Sequence, residues 1–224
     1  MSVKNISQRE RIETVIDYFR RVMPEPETEL DYGSPYELIV SVILSAQCTD
    51  KRVNLITPAL FRRFPRPEDL AGATQEEVFE LIRSCSYPNN KARHLRGMAK
   101  VLMEEFRGKV PRDVQSLQKL PGVGRKSANV IAAVIHRLPV MPVDTHVFRV
   151  SARIGLTRGA RTPLQAENQL YRVFPRDLIP NAHHWLILHG RYLCQARKPK
   201  CQECGLTGVC KYYLEGKNRS GKTN

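Results

Sequence analysis

Two single side chains and one group of four could carry chemistry in this sequence. Lys126 stands in "LQKLPGVGRKSANVIAAVIH", residues 117–136, directly before a run of Ala, Val and Ile that a folded chain would bury. A neutral lysine amine is a nucleophile able to form a Schiff base with a sugar aldehyde carbon; a solvated or phosphate-binding lysine is the plainer reading. Asp144 stands eighteen residues further on, in "VMPVDTHVFRV". A carboxylate held there could stabilise a developing sugar oxocarbenium or relay a proton, and capping of the helix that follows accounts for it as well. Cys194, Cys201, Cys204 and Cys210 fall within seventeen residues, spaced C-x6-C-x2-C-x5-C. Structural zinc usually takes two short Cys-x-x-Cys knuckles and only one is present, so zinc stands beside an iron–sulfur cluster as a candidate.

These groups need elements to hold them. Around Lys126, a short helix "DVQSLQKL" runs into "PGVG" and emerges as a second helix, "RKSANVIAAVIHR", a helix-hairpin-helix over about 113–137. Gly122 and Gly124 permit φ values and close backbone approaches that side chains would block. A helix start after such a turn offers free N–H groups and the positive end of a dipole to a phosphate oxygen, with Arg125 alongside. The dipole disfavours a cation at Lys126, so helix stability does not explain that lysine. A tight turn between packed helices is the alternative for the glycines alone.

Periodicity predicts helices over roughly 7–22, 35–46, 50–63, 74–84, 90–106, 113–119, 125–137, 145–154, 163–174 and 181–194, with no convincing strand. Ser34-Pro35 and Thr162-Pro163 place a cap before a first-turn proline, and Thr74 with Glu77 suits a capping box. The chain is therefore all-α, and "LEGKNRSGKTN", 214–224, reads as a loose basic tail. Cys48 and Cys85, far from the other cysteines, read as small buried hydrophobes.

Among 224 residues, 36 Lys and Arg against 22 Asp and Glu leave a net charge of +14. Such a surplus repels itself unless an anion is bound, which puts nucleic acid ahead of a membrane surface as partner. No signal-type or membrane-spanning stretch is present, so a cytoplasmic, nucleoid-associated location in a bacterium is expected, and disulfides are not. Arg197, Lys198 and Lys200, between the first two clustered cysteines, are placed to track a phosphate backbone from a tethered loop.

"LPGVGRKSANV" followed by "VDTHVFRV", with "LSAQCTD" at 44–50 and the terminal cysteines, resembles the endonuclease III family of helix-hairpin-helix DNA glycosylases over about residues 10–213. The resemblance implies Lys126 as nucleophile, Asp144 as catalytic carboxylate, and Cys194, Cys201, Cys204 and Cys210 as ligands of a [4Fe-4S] cluster. It implies two helical domains, 29–138 and 1–28 plus 139–213, with the active site in the cleft between them. It points to Gln47 as a residue that fills the gap left by an extruded base, with Asp50 a weaker candidate for the pocket. The family's second wedge, a leucine in a pattern near "GLYNSKA", is replaced by "SCSYPNNKA" at 84–92; Ser86 stands near the leucine position, and Tyr87 either intercalates in its place or packs against the loop. The implied activity is excision of oxidised pyrimidines and β-elimination at the abasic site, by a monomer acting on damaged duplex DNA. A monofunctional adenine or mismatch glycosylase is the rival within the superfamily, disfavoured by Lys126; a non-catalytic DNA-binding protein with a metal-stabilised fold is the rival outside it.

Overall fold

The computed structural model describes residues 6–220, and every regular element among them is helical. It divides into two units: residues 28–138 form one, while residues up to 27 join 139 onward to form the other.

The discontinuous unit opens with α1 (Gln8–Val22), started by Ser7, whose hydroxyl accepts the Glu10 N–H. The continuous unit follows with α2 (Pro35–Ser45), α3 (Asp50–Arg63), α4 (Pro67–Gly72), α5 (Gln75–Ile82), α6 (Pro88–Phe106), α7 (Val114–Leu117) and α8 (Arg125–His136). The chain then returns to the first unit with α9 (Thr145–Ile154), α10 (Pro163–Val173), α11 (Ile179–Tyr192) and α12 (Lys211–Ser220).

In the continuous unit α2 is buried on every face, from Leu38 through Leu44, so the other helices can wrap it. It packs on α3, α6 and α8, and α6 packs on α4 and α5. The expected caps are made. Thr74 Oγ1 accepts the Glu77 N–H at 3.1 Å while Glu77 Oε2 accepts the Thr74 N–H at 2.8 Å, and Ser34 and Thr162 cap α2 and α10.

In the discontinuous unit α9 packs against α10, α11 and α12. Helix α1 adds Val15, Ile16 and Phe19 to that core. Phe19 stacks on Trp185 with ring centroids 5.6 Å apart, and the Trp185 indole N–H donates to Met23 O at 2.7 Å. Residues 214–220, read above as the start of a tail, continue α12 instead, since Cys210 O accepts the Leu214 N–H and starts the turn; 221–224 lie outside the described residues. Helix α4 was not foreseen, because six residues are too few to show a period. Two helices begin two residues before their expected starts, at Pro88 and Ile179, since proline suits the first turn.

Candidate active site

The hairpin of the continuous unit is built from α7, the turn after it and α8. Gly122 has φ +83°, and a Cβ there would lie 2.9 Å from His94 Cβ on α6, so only glycine fits. Gly124 differs: its φ is −79° and a Cβ would meet nothing within 4 Å. The protein itself does not require a glycine at 124; a group approaching from solvent would. Gly124 is also the N-cap of α8 and offers no side chain to the first-turn N–H groups. Lys126 sits in that first turn, exposed, as does Arg125. Together they form an uncapped, positively charged helix start suited to an anion.

Asp144 is the N-cap of α9 in the discontinuous unit, half-buried, and its Oδ1 accepts the Val147 N–H at 2.7 Å. The capping reading of Asp144 therefore holds, and it leaves Oδ2 for another partner. The strand of chain before it is held from both sides. His183 Nδ1 bonds Pro142 O at 3.0 Å, and Tyr171 accepts the Met141 N–H at 3.1 Å. Sequence reasoning missed both supports; the pair His183-His184 in an apolar stretch was the only signal.

Gln47 lies exposed in the turn between α2 and α3, and Tyr87, 62% exposed, precedes α6. Both are left-handed, with φ of 54° and 55°, a conformation that costs non-glycine residues energy and gathers at functional sites. Their two turns are tied together. Ser86 Oγ donates to Gln47 O at 2.6 Å, and buried Lys91 donates to Leu44 O at 2.7 Å and to Ser86 Oγ at 3.3 Å. Ser86, expected near the wedge position, is thus turned inward, and Tyr87 is the side chain presented. Lys91 was missed because a lysine beside two asparagines reads as solvated.

The four clustered cysteines ring one cavity at the end of α11, together with His189, Leu206 and Tyr213. Burial and the neighbouring sulfurs push the Cys204 and Cys210 thiols up, a repulsion that bound iron would relieve. Four cysteine sulfurs around one cavity suit an iron–sulfur cluster, which is held by four thiolates. Helix α9 braces this loop: Arg153 donates to Gln195 O and Ala196 O, each at 2.7 Å, and Arg149 to Gly190 O at 2.9 Å. The loop closes where Leu193 O accepts the Lys200 N–H, leaving Arg197, Lys198 and Lys200 exposed.

An all-helical chain with a glycine hairpin and such a cysteine loop matches, over residues 40–176, the helix-hairpin-helix superfamily of base excision DNA repair proteins. Residues 194–210 match the iron–sulfur binding domain of endonuclease III. Endonuclease III of Bacillus subtilis is 43% identical over 95% of this chain and 95% of its own length. That of Rickettsia conorii is 44% identical over 92% and 98%, and that of Escherichia coli K12 39% over 92% and 97%. A trapped endonuclease III–DNA covalent intermediate superposes with a TM-score of 0.87 at 39% identity, covering 96% of this chain and 99% of that one. A non-covalent endonuclease III–DNA complex gives 0.87 at 38%, covering 97% and 100%. The chain belongs to the endonuclease III family, and its cofactor is a [4Fe-4S] cluster. Among the described residues no helix is long and apolar enough to cross a membrane.

Proposed function

We infer that this protein is a bifunctional DNA glycosylase and abasic-site lyase of base excision repair, removing oxidised pyrimidines from duplex DNA. The observation that carries the reading is Lys126, exposed in the first turn of α8 beside an uncapped glycine hairpin. In a monofunctional enzyme that position needs no amine.

The Lys126 amine attacks C1′ of the lesion nucleotide as the bond to the base breaks, and the base departs with that electron pair and a proton. Asp144, fixed by its cap, faces the positive charge that develops on the sugar, or carries the proton. The Lys126 nitrogen gives up a proton, its lone pair forms C1′=N as the C1′–O4′ bond breaks and O4′ takes up a proton, and the resulting iminium acidifies C2′. Loss of a C2′ proton sends electrons toward C3′, the C3′–O bond breaks, and the phosphate leaves; water then hydrolyses the imine and frees Lys126. Gln47 and Tyr87, on their tied left-handed turns, fill the gap left by the extruded base. The first-turn N–H groups of α8, with Gly122, Gly124 and Arg125, hold a phosphate, and Arg197, Lys198 and Lys200 add contacts blind to sequence. Cys194, Cys201, Cys204 and Cys210 hold the cluster, which cross-links four points of the chain and so supports that basic loop. With bacterial relatives and chromosomal DNA as substrate, the nucleoid is where we place it.

Borohydride should trap a covalent protein–DNA adduct on a damaged or abasic duplex, and Lys126→Gln should abolish it while leaving the helical spectrum intact. Asp144→Asn should slow base release more than cleavage of a preformed abasic site, because the amine survives. Trapping retained by folded Lys126→Gln protein would place the nucleophile elsewhere.

A further inference from the structure

Cys48 and Cys85 are thirty-seven residues apart in sequence, yet their sulfurs lie 3.7 Å from each other, in van der Waals contact. They belong to the two tied turns: Cys48 follows Gln47, and Cys85 lies two residues before Tyr87. The pair is asymmetric. Cys48 is half-exposed, whereas Cys85 is buried, and burial with the Cys48 thiol beside it pushes its pKa up to about 11. Neither thiol takes part in the cluster or in the lyase steps.

We propose that Cys48 and Cys85 form a peroxide-responsive thiol pair, whose disulfide pulls together the turns carrying Gln47 and Tyr87 and so weakens the grip on lesion DNA. The accessible sulfur meets the oxidant. As its thiolate, Cys48 attacks a hydroperoxide: an S–O bond forms, the O–O bond breaks, and hydroxide or alkoxide leaves, so sulfur is oxidised by two electrons and peroxide reduced. The Cys85 thiol then attacks the Cys48 sulfur. The S–S bond forms, the S–O bond breaks, and the Cys85 proton departs with the oxygen as water. A dithiol reductant reverses the bond by exchange. Where thiols are otherwise kept reduced, such a disulfide is a transient, sensing one.

The geometry ties this bond to binding. A disulfide needs its sulfurs at about 2 Å, well inside the present 3.7 Å contact, so forming it draws the two side chains, and with them the turns, toward one another. The Ser86–Gln47 and Lys91–Leu44 hydrogen bonds that now set their spacing would be disturbed. A side chain displaced from the gap loses its contact there, and a fall in lesion affinity of about tenfold is expected, which corresponds to about 1.4 kcal/mol. This consequence rests on the reading of Gln47 and Tyr87 as the side chains that enter DNA; formation of the disulfide does not.

The cluster-loaded full chain is treated with hydrogen peroxide, its remaining thiols are alkylated, and it is digested with trypsin for mass spectrometry. The expected product links peptide 22–51, which contains Cys48, to peptide 84–91, which contains Cys85. Binding of a lesion-bearing duplex should fall by about tenfold, recover on adding dithiothreitol, and be insensitive to peroxide in Cys48→Ala. Cys48 oxidised further with Cys85 still alkylated, and no linked peptide, overturns the pair. Equal loss of binding in Cys48→Ala also overturns it, since the effect then arises elsewhere. A linked peptide with unchanged binding overturns the coupling to DNA, while Gln47→Ala in the reduced protein separately reads whether these turns grip DNA at all.

Discussion

The two hairpin glycines should respond in opposite ways to the same added methyl group. At Gly122, alanine must adopt φ +83° and set its Cβ 2.9 Å from His94 Cβ. The left-handed backbone costs about 1–2 kcal/mol and the overpacking about 1–3 kcal/mol, so Gly122→Ala should lose about 2–5 kcal/mol of stability. In urea, with a slope of about 3 kcal/mol per molar, the unfolding midpoint should drop by about 1 M. At Gly124 the backbone is ordinary and the space open, so Gly124→Ala should leave stability within about 1 kcal/mol or raise it, by restricting the unfolded chain. Its loss should appear in binding instead. The methyl occupies the approach to the α8 N–H groups, and one charge-assisted bond is worth about 1.5–3 kcal/mol, or about tenfold or more in affinity for undamaged duplex. Urea unfolding followed by circular dichroism, with fluorescence anisotropy for binding, measures both on the cluster-loaded protein. Gly124→Ala binding duplex as tightly as the unmodified protein would refute the phosphate role of the hairpin, and an unchanged midpoint for Gly122→Ala would refute the packing argument.

The cluster and its loop give three further outcomes. Cys204→Ser should lose iron and the fold of its unit together, seen as absent visible absorption and early proteolysis, because cluster binding and folding are coupled; stoichiometric zinc without iron in the unmodified protein would sink the assignment. Replacing Arg197, Lys198 and Lys200 by alanine should lower the slope of log affinity against log salt by about 2.7, or about 0.9 for each cation, equally on damaged and undamaged duplex; an unchanged slope would mean that the loop faces away from DNA. Phe19→Ala removes the ring stacked on Trp185 and should cost about 3–5 kcal/mol, read from thermal unfolding, with iron released at the lower temperature.

Most of the helical framework was legible because its start signals are local. Ser34, Thr74 and Thr162 each cap a helix within three residues of themselves, and no distant contact is needed to see it. The hairpin and the cysteine loop were legible for the same reason, each being a short run of fixed spacing. What escaped the sequence are pairings across long separations. Lys91 reaching Leu44, His183 reaching Pro142 and Cys48 meeting Cys85 each depend on helix packing that brings remote turns together. The distinction between the two hairpin glycines escaped as well, because only His94 on α6 separates Gly122, which the fold requires to be glycine, from Gly124, where the fold leaves open space.

The discontinuous unit has a consequence for synthesis. Helix α1 leaves the ribosome before the continuous unit, yet Val15, Ile16 and Phe19 find their core partners in residues made after position 139. At about 5–20 residues per second, roughly 120–190 residues of delay correspond to about 6–40 s during which that apolar stripe has no native partner. Residues 28–138, which pack together as one unit, are all made in the meantime. Cys210, the last of the four clustered cysteines, is made after every core partner of α1, so cofactor loading cannot precede the residues that capture that helix. A nascent chain stalled before residue 194 should therefore hold a protected hairpin unit, with α1 still open to a chaperone or a protease.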